Sequence, residues 1–268
     1  MARFAAGKYN VKSLAHNNKN TGVTVNFILI TAIGVGGATV LGGVFGFLFK
    51  NLSERLSGAI MSFAAGVMLS ASIFGLIIPA LEDGSFFSLV LTILGILGGS
   101  WCIRIINRAI PLMYKKFGGG EAKNARVILF VIAITIHNIP EGIAAGVGFG
   151  SENTANALMI AGGIALQNLP EGMVLIAPML AAGFSPRRTF ATAVFTGVVE
   201  IICTVLGYLA VGISGLLLPF LLAFAAGTML FVICDEMIPE TLGEGADGEA
   251  CLAFLIGFSM ILLLDFLF

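Results

Sequence analysis

Charge is what this sequence has least of. Only 11% of its 268 residues are Asp, Glu, Lys or Arg, while 58% are hydrophobic, against about a quarter charged in a soluble domain. Mean hydropathy is +1.03, so there is too little polar side chain to cover a water-soluble fold. The net charge of −1 comes with no basic tract, which leaves nothing to bind nucleic acid. Histidine occurs twice and cysteine four times, with no CxxC spacing. A closed Cys/His zinc cage is therefore excluded, and Cys102, Cys203, Cys234 and Cys251 read as packing residues. HExxH is absent too, so an intramembrane zinc protease lacks its ligands and its general base.

What is there is a series of apolar runs about 20 residues long, the length that crosses a bilayer as a helix. Eight can be drawn: Thr24–Phe49, Gly58–Ala80, Phe86–Arg104, Val127–Gly150, Asn156–Ala182, Thr189–Gly212, Leu216–Ile238 and Cys251–Phe268. The expected fold is all-α, a polytopic integral membrane protein. Residues 1–23 form a polar tail with no apolar core of its own, so no cleavable signal peptide is expected. Residues 24–268 form one transmembrane domain. The loops after spans one, three and five hold Lys50, Arg55, Arg104, Arg108, Lys115, Lys116, Lys123, Arg126, Arg187 and Arg188, and the loops after spans two, four and six hold none. Basic loops stay cytoplasmic, so both termini are expected outside, against the pull of Arg3, Lys8, Lys12 and Lys19 in the tail.

Two repeats organise the chain. IHNIPEG at 136–142 returns as LQNLPEG at 166–172 on the next, oppositely directed span. FAAGVML at 63–69 returns as FAAGTML at 224–230, each followed by an aliphatic-Pro pair at 77–79 and 237–239. Spans one to three and six to eight then read as inverted copies around four and five, a three-two-three arrangement typical of secondary transporters, whose sites lie at the bilayer midplane. Small residues such as Gly142, Gly146 and Gly150 suit close helix packing. GVGGATVLGG at 34–43 follows no strand and is not a nucleotide loop.

Five carboxylates sit inside spans: Glu141, Glu171, Glu200, Asp235 and Glu236. Each costs about 2.5–3.5 kcal/mol or more at the midplane, and all fourteen Lys and Arg residues fall in the tail, the loops or the span ends. The missing countercharge must be a proton or an imported cation. On a helix, i and i+4 share a face, so His137 joins Glu141 and Gln167 joins Glu171, with Asn138 and Asn168 beside them. Pro140 and Pro170 are expected to kink their helices. Aligned on proline, Glu236 of EMIPE stands where His137 and Gln167 stand. Imidazole, carboxylates and amides together suit Zn²⁺, Fe²⁺, Mn²⁺ or Cd²⁺ better than Cu⁺ or Mg²⁺. Glu200 reads equally as part of the site and as a protonated structural group. Asp235 lies on a different face from Glu236, and the acidic run 240–249 reads as a solvated loop.

HNIPEG, QNLPEG and DEMIPE together resemble the ZIP (Zrt-, Irt-like) family of divalent metal transporters, and Gln167 is most similar to the GufA-like branch. The resemblance covers nearly the whole chain. It implies a two-metal centre between spans four and five. The first ion would meet His137, Glu141, Gln167 and Glu171; the second would meet Asn138, Glu141, Asn168, Glu171 and Glu236, with Glu141 and Glu171 bridging. It also implies an elevator-like shift of one helix bundle against another, metal as cargo rather than cofactor, and no bond made or broken. Some relatives carry a carboxylate where Asn168 stands, so the second ion is expected to bind weakly. The loop YKKFGGGEAKNAR has no histidine, so no loop metal sensor is expected, and His16 in the tail is incidental. Metal would enter the cytoplasm, through the cell membrane, and a homodimer is compatible with the pattern. The rival is a proton-coupled carrier of organic solutes with Glu141 and Glu171 as proton relays.

Overall fold

A computed structural model describes residues 21–48, 53–116, 122–149, 154–213, 217–242 and 248–267. Residues 1–20, most of the expected tail with its His16 and four basic residues, lie outside the described residues, as do Lys50 and residues 243–247 of the acidic run.

The described chain is helical, and eight helical segments match the eight apolar runs. They are α1 (Thr21–Leu48), α2 (Glu54–Ser70, continued by Ala71–Ile77 and Ile78–Ala80), α3 (Phe86–Lys116) and α4 (Ala122–Gly148). Then come α5 (Thr154–Ala181), α6 (Pro186–Ile213), α7 (Leu218–Val232, continued by Ile233–Met237 and Ile238–Leu242) and α8 (Gly248–Leu267). Seven are long and apolar enough to cross a membrane; the apolar part of α8, Gly248–Leu264, is shorter. This is a multi-pass integral membrane protein. Helix α3 runs three turns past the point where its apolar run ends at Arg104, so Arg104 and Arg108 stand exposed on a helix rather than in a loop.

Wide, π-helical turns occur at Ala71–Ile77 and Ile233–Met237, just before Pro79 and Pro239, where the amides of Ile78 and Ile238 reach back five residues to Ile73 and Ile233. Such turns absorb a residue that cannot continue the ordinary ladder. Helices α4 and α5 run unbroken through Pro140 and Pro170.

Three-two-three describes the order in sequence; in space the helices regroup four and four. Helices α1, α4, α5 and α6 pack on one another, and so do α2, α3, α7 and α8. Within each bundle, glycine lets backbone meet backbone. A Cβ on Gly66 would overlap the Phe254 carbonyl, one on Gly257 the Phe63 carbonyl, one on Gly227 the Ile96 carbonyl and one on Gly99 the Phe224 carbonyl. Gly66 and Gly227, like Phe63 and Phe224, hold equal places in the long repeat, so the two copies make the same contact, α2 on α8 and α7 on α3.

The same spacing links the other bundle. Gly36 and Gly197 stand 161 positions apart, as Gly66 and Gly227 do, and pack backbone to backbone. Gly172 of α5 abuts the Thr39 carbonyl of α1, and Gly142 of α4 abuts the Glu200 carbonyl of α6. Thr39 and Glu200 are again repeat equivalents. The duplication therefore reaches the helices that surround both PEG motifs.

Candidate metal centre

Helices α4 and α5 lie side by side in the first bundle, with α1 and α6 behind them. Asn138, Glu141, Gln167, Asn168, Glu171 and Glu200 are all buried. Glu141 lies within electrostatic reach of Glu171 and Glu200, as Glu171 does of Glu200. Among the described residues no lysine or arginine is paired with any of the three.

The amides are anchored through their nitrogens. Gln167 Nε2 donates to Glu141 Oε1 at 2.7 Å. Asn138 Nδ2 donates to the Thr196 carbonyl at 3.4 Å and Asn168 Nδ2 to the Val35 carbonyl at 3.1 Å. Val35 and Thr196 are repeat equivalents, so the two asparagines are held in the same way by α1 and α6. Asn168 also donates to Glu200 Oε1, and Thr39 Oγ1 donates to Glu200 Oε2 at 2.8 Å. A backbone carbonyl can only accept, which fixes which end of each asparagine faces it and leaves the amide oxygens turned the other way.

Those oxygens have no hydrogen-bond partner among the described residues. Asn107 Oδ1, Asn138 Oδ1, Gln167 Oε1, Asn168 Oδ1, Glu141 Oε2, Glu171 Oε1 and His137 Nε2 are buried and unpartnered; the three other such atoms are hydroxyls, on Ser62, Ser70 and Thr189. An orphaned buried polar atom costs about 1–3 kcal/mol. Five orphaned oxygens, on Asn138, Glu141, Gln167, Asn168 and Glu171, gathered around buried carboxylates with His137 one turn before Glu141, call for a cation with mixed N/O preference. They fit a divalent metal as cargo.

Glu236 sits in the wide turn of α7, in the other bundle. Its Oε2 is 2.9 Å from His137 Nε2, and its Oε1 accepts from Asn107 Nδ2 at 2.7 Å. Helix α7 thereby brings Glu236, the expected ligand of the second ion, to His137, the residue before Asn138. Glu200 is the carboxylate beside Asn168. Asp235 is exposed, as a neighbour of Glu236 on a helix must be. Met68 and Met229 are core residues. Cys203 is buried, Cys102 is half-buried, and Cys234 and Cys251 are exposed.

Asn107 and Thr39 were invisible in sequence. Asn107 lies beyond the apolar run of its helix, and Thr39 carries no charge in a Gly-rich stretch. The one available signal was the long repeat, which sets Thr39 opposite Glu200.

A cavity of about 160 Å³ opens beside the site, between α4 (Ile136, Ile139, Pro140, Ile143) and α3 and α7 of the other bundle. Its walls are apolar apart from Cys102 and Thr228, and no carboxylate, imidazole or amide lines it.

Comparison with known proteins agrees with this chemistry. Residues 119–265 match the family model described as ZIP zinc transporter. The chain is 36% identical over 247 residues to the zinc transporter GufA of Myxococcus xanthus, covering 88% of this chain and 97% of that one. It is 34% identical over 248 residues to the zinc transporter ZupT of Shigella dysenteriae, covering 88% and 96%. It is 32% identical over 246 residues to the zinc transporter ZIPB of Bordetella bronchiseptica, covering 85% and 77%.

Proposed function

Because this chain belongs to the ZIP zinc transporter family, we propose that it carries divalent metal ions, zinc first among them, across the cell membrane into the cytoplasm. The observation that carries the reading is the set of buried, donor-less oxygens around Glu141 and Glu171 with no basic partner. A proton-coupled carrier of organic solutes would also need buried carboxylates, but amide oxygens relay no protons, and amides aimed acceptor-first suit a metal. No bond is made or broken, so the chain is no enzyme.

In this proposal His137, Glu141, Gln167 and Glu171 hold the first ion. Asn138, Glu141, Asn168, Glu171 and Glu236 hold the second, with Glu200 behind Asn168 accepting its amide hydrogen. The bundle of α1, α4, α5 and α6 moves as a unit past the other. Two observations support that motion. Backbone-on-backbone glycine contacts lie inside the bundles, whereas across the boundary Gly75 meets only the Ile160 side chain, and Gly163 meets side chains of Ile261 and Ala71. The apolar cavity also lies on that boundary. Both termini are placed outside on the strength of the basic loops.

Uptake by purified protein in liposomes, across a panel of metals, tests the function. Zn²⁺ uptake with competition by Cd²⁺ is expected; a protein that neither binds nor moves any metal sinks the proposal.

Selectivity gives a further expected result. His137 is the one nitrogen side-chain ligand, so His137→Asp should shift preference from Zn²⁺ toward harder Mn²⁺ by about tenfold. An unchanged Zn²⁺/Mn²⁺ ratio in competition assays would remove His137 from the ligand set.

Asn168 gives another. Both its amide hydrogens go to acceptors, Val35 and Glu200. Asn168→Asp would set a carboxylate against both, so the variant should melt lower than the parent without metal. Added Zn²⁺ should then raise its Tm more than the parent's, and anomalous scattering from Zn²⁺-soaked crystals should show a stronger second peak. Equal Tm gains and equal peaks would show that the missing charge does not matter.

A further inference from the structure

The cavity on the boundary between the bundles is walled by α4 of one bundle and by α3 and α7 of the other. It offers a guest almost nothing to hydrogen-bond. The Thr228 hydroxyl is already given to the Ala225 carbonyl, and the Cys102 thiol is a weak donor. A buried water needs several polar partners, so the space suits an apolar guest. Two wall residues, Ile106 and Ile139, are also exposed on the outside of the protein. The cavity therefore has its mouth on the surface that lipid covers.

Helix α3 carries a second feature beside that mouth. Positions 101, 104, 105 and 108 share one helix face, and Trp101, Arg104, Ile105 and Arg108 are all exposed. Trp101 is the single tryptophan of the chain, and tryptophan settles at the level of lipid headgroups. Neither Arg104 nor Arg108 is paired with a carboxylate among the described residues, whereas Arg55 meets Glu249 at 2.8 Å. Ile105 lies on the arginine face. Ile106, the next residue and about 100° further round the helix, lines the cavity. The charged face and the cavity mouth thus adjoin.

We propose that this face of α3 and the cavity beside it bind one anionic phospholipid, with its phosphate on Arg104 and Arg108 and one acyl chain seated between α3 and α4. Arginine takes phosphate through two parallel hydrogen bonds, and basic residues at the cytoplasmic ends of membrane helices attract anionic headgroups. Arginine stems lie along apolar surface and lift the charge toward the interface, so both side chains can meet one headgroup. A zwitterionic lipid seats the same chain but brings its own ammonium to the arginines, and so binds less well. A free phosphate finds the charge and gains nothing from the cavity. The seated chain touches both bundles, which makes the lipid a contact shared between them.

Native mass spectrometry of the full-length protein in detergent, titrated with phosphatidylglycerol or with phosphatidylcholine of the same acyl chains, tests the site. The parent should bind one phosphatidylglycerol about tenfold more tightly than phosphatidylcholine. Arg104→Gln/Arg108→Gln should erase that preference and leave phosphatidylcholine binding as it was. Ile106→Trp, which plugs the mouth from a position already part-exposed, should weaken both lipids about fivefold or more. Arg187→Gln/Arg188→Gln removes another exposed basic pair, at the start of α6, and should keep the parent's preference. Glycerophosphoglycerol, a headgroup without chains, should displace nothing. An undiminished preference in Arg104→Gln/Arg108→Gln, an equal loss in Arg187→Gln/Arg188→Gln, undiminished binding in Ile106→Trp, or displacement by glycerophosphoglycerol overturns the proposal. No metal enters the assay, so either result leaves the transport reading as it stands.

Discussion

Proteoliposomes carrying Glu141→Ala or Glu171→Ala are expected to take up zinc at background, a loss of about 100-fold or more at sub-saturating metal. The size follows from position. Both carboxylates are buried, at 0% and 7% exposure, on adjacent helices, and each keeps one oxygen with no hydrogen-bond partner. As bridging ligands they would each answer to two divalent ions. Removing either leaves the remaining amide oxygens to hold the metal with one buried charge fewer, in a medium that penalises unbalanced charge heavily. The loss should be at the binding step, so raising external zinc should not restore the parent's rate at attainable concentrations. Asp235→Asn serves as control: that carboxylate is on the same helix as Glu236 but exposed, and its loss should leave uptake within about twofold. Undiminished transport by a folded Glu141→Ala or Glu171→Ala variant would remove the two-helix site.

Gly172→Val should prevent the first bundle from forming. A Cβ at Gly172 would overlap the Thr39 carbonyl and crowd the backbone of Gly43. Neither atom can rotate away, because both belong to helix α1. Overpacking of a core already costs about 1–3 kcal/mol when side chains can yield; against backbone the helices themselves must part. Separating α1 from α5 would also pull the Val35 carbonyl off Asn168 and Thr39 off Glu200. The expected outcome is little or no monodisperse protein from detergent extracts on size exclusion. Gly34→Ala is the comparison. Nothing lies within 4 Å of a Cβ there, and alanine is the better helix former by about 1 kcal/mol, so this variant should match or exceed the parent's Tm. A well-folded, active Gly172→Val protein would contradict the close approach of α1 and α5.

Local patterns were legible in the chain. Apolar runs near 20 residues long marked the helices because a bilayer demands that length. His137 with Glu141, and Gln167 with Glu171, could be set on common faces because helical geometry repeats every 3.6 residues. The glycines after each glutamate announced close packing, and FAAGVML with FAAGTML announced a duplication. The absence of basic residues inside the spans pointed to a cation, and that argument needs composition alone.

What only the tertiary structure decided is which distant residue each polar atom meets. Thr39 and Glu200 are 161 positions apart, and Asn107 and Glu236 are 129 apart. Such pairs depend on which helices pack together and how they are rotated, not on any period within one helix. Sequence order grouped the helices three, two and three, whereas packing of small residues regrouped them four and four. That regrouping carried Glu236 into the bundle opposite His137 and put Glu200 beside Asn168. The reason is physical: inside a bilayer the apolar surfaces of all eight helices are equally content in lipid, so the partners are chosen by close backbone fit and buried polar contacts, which exist only once the helices have met.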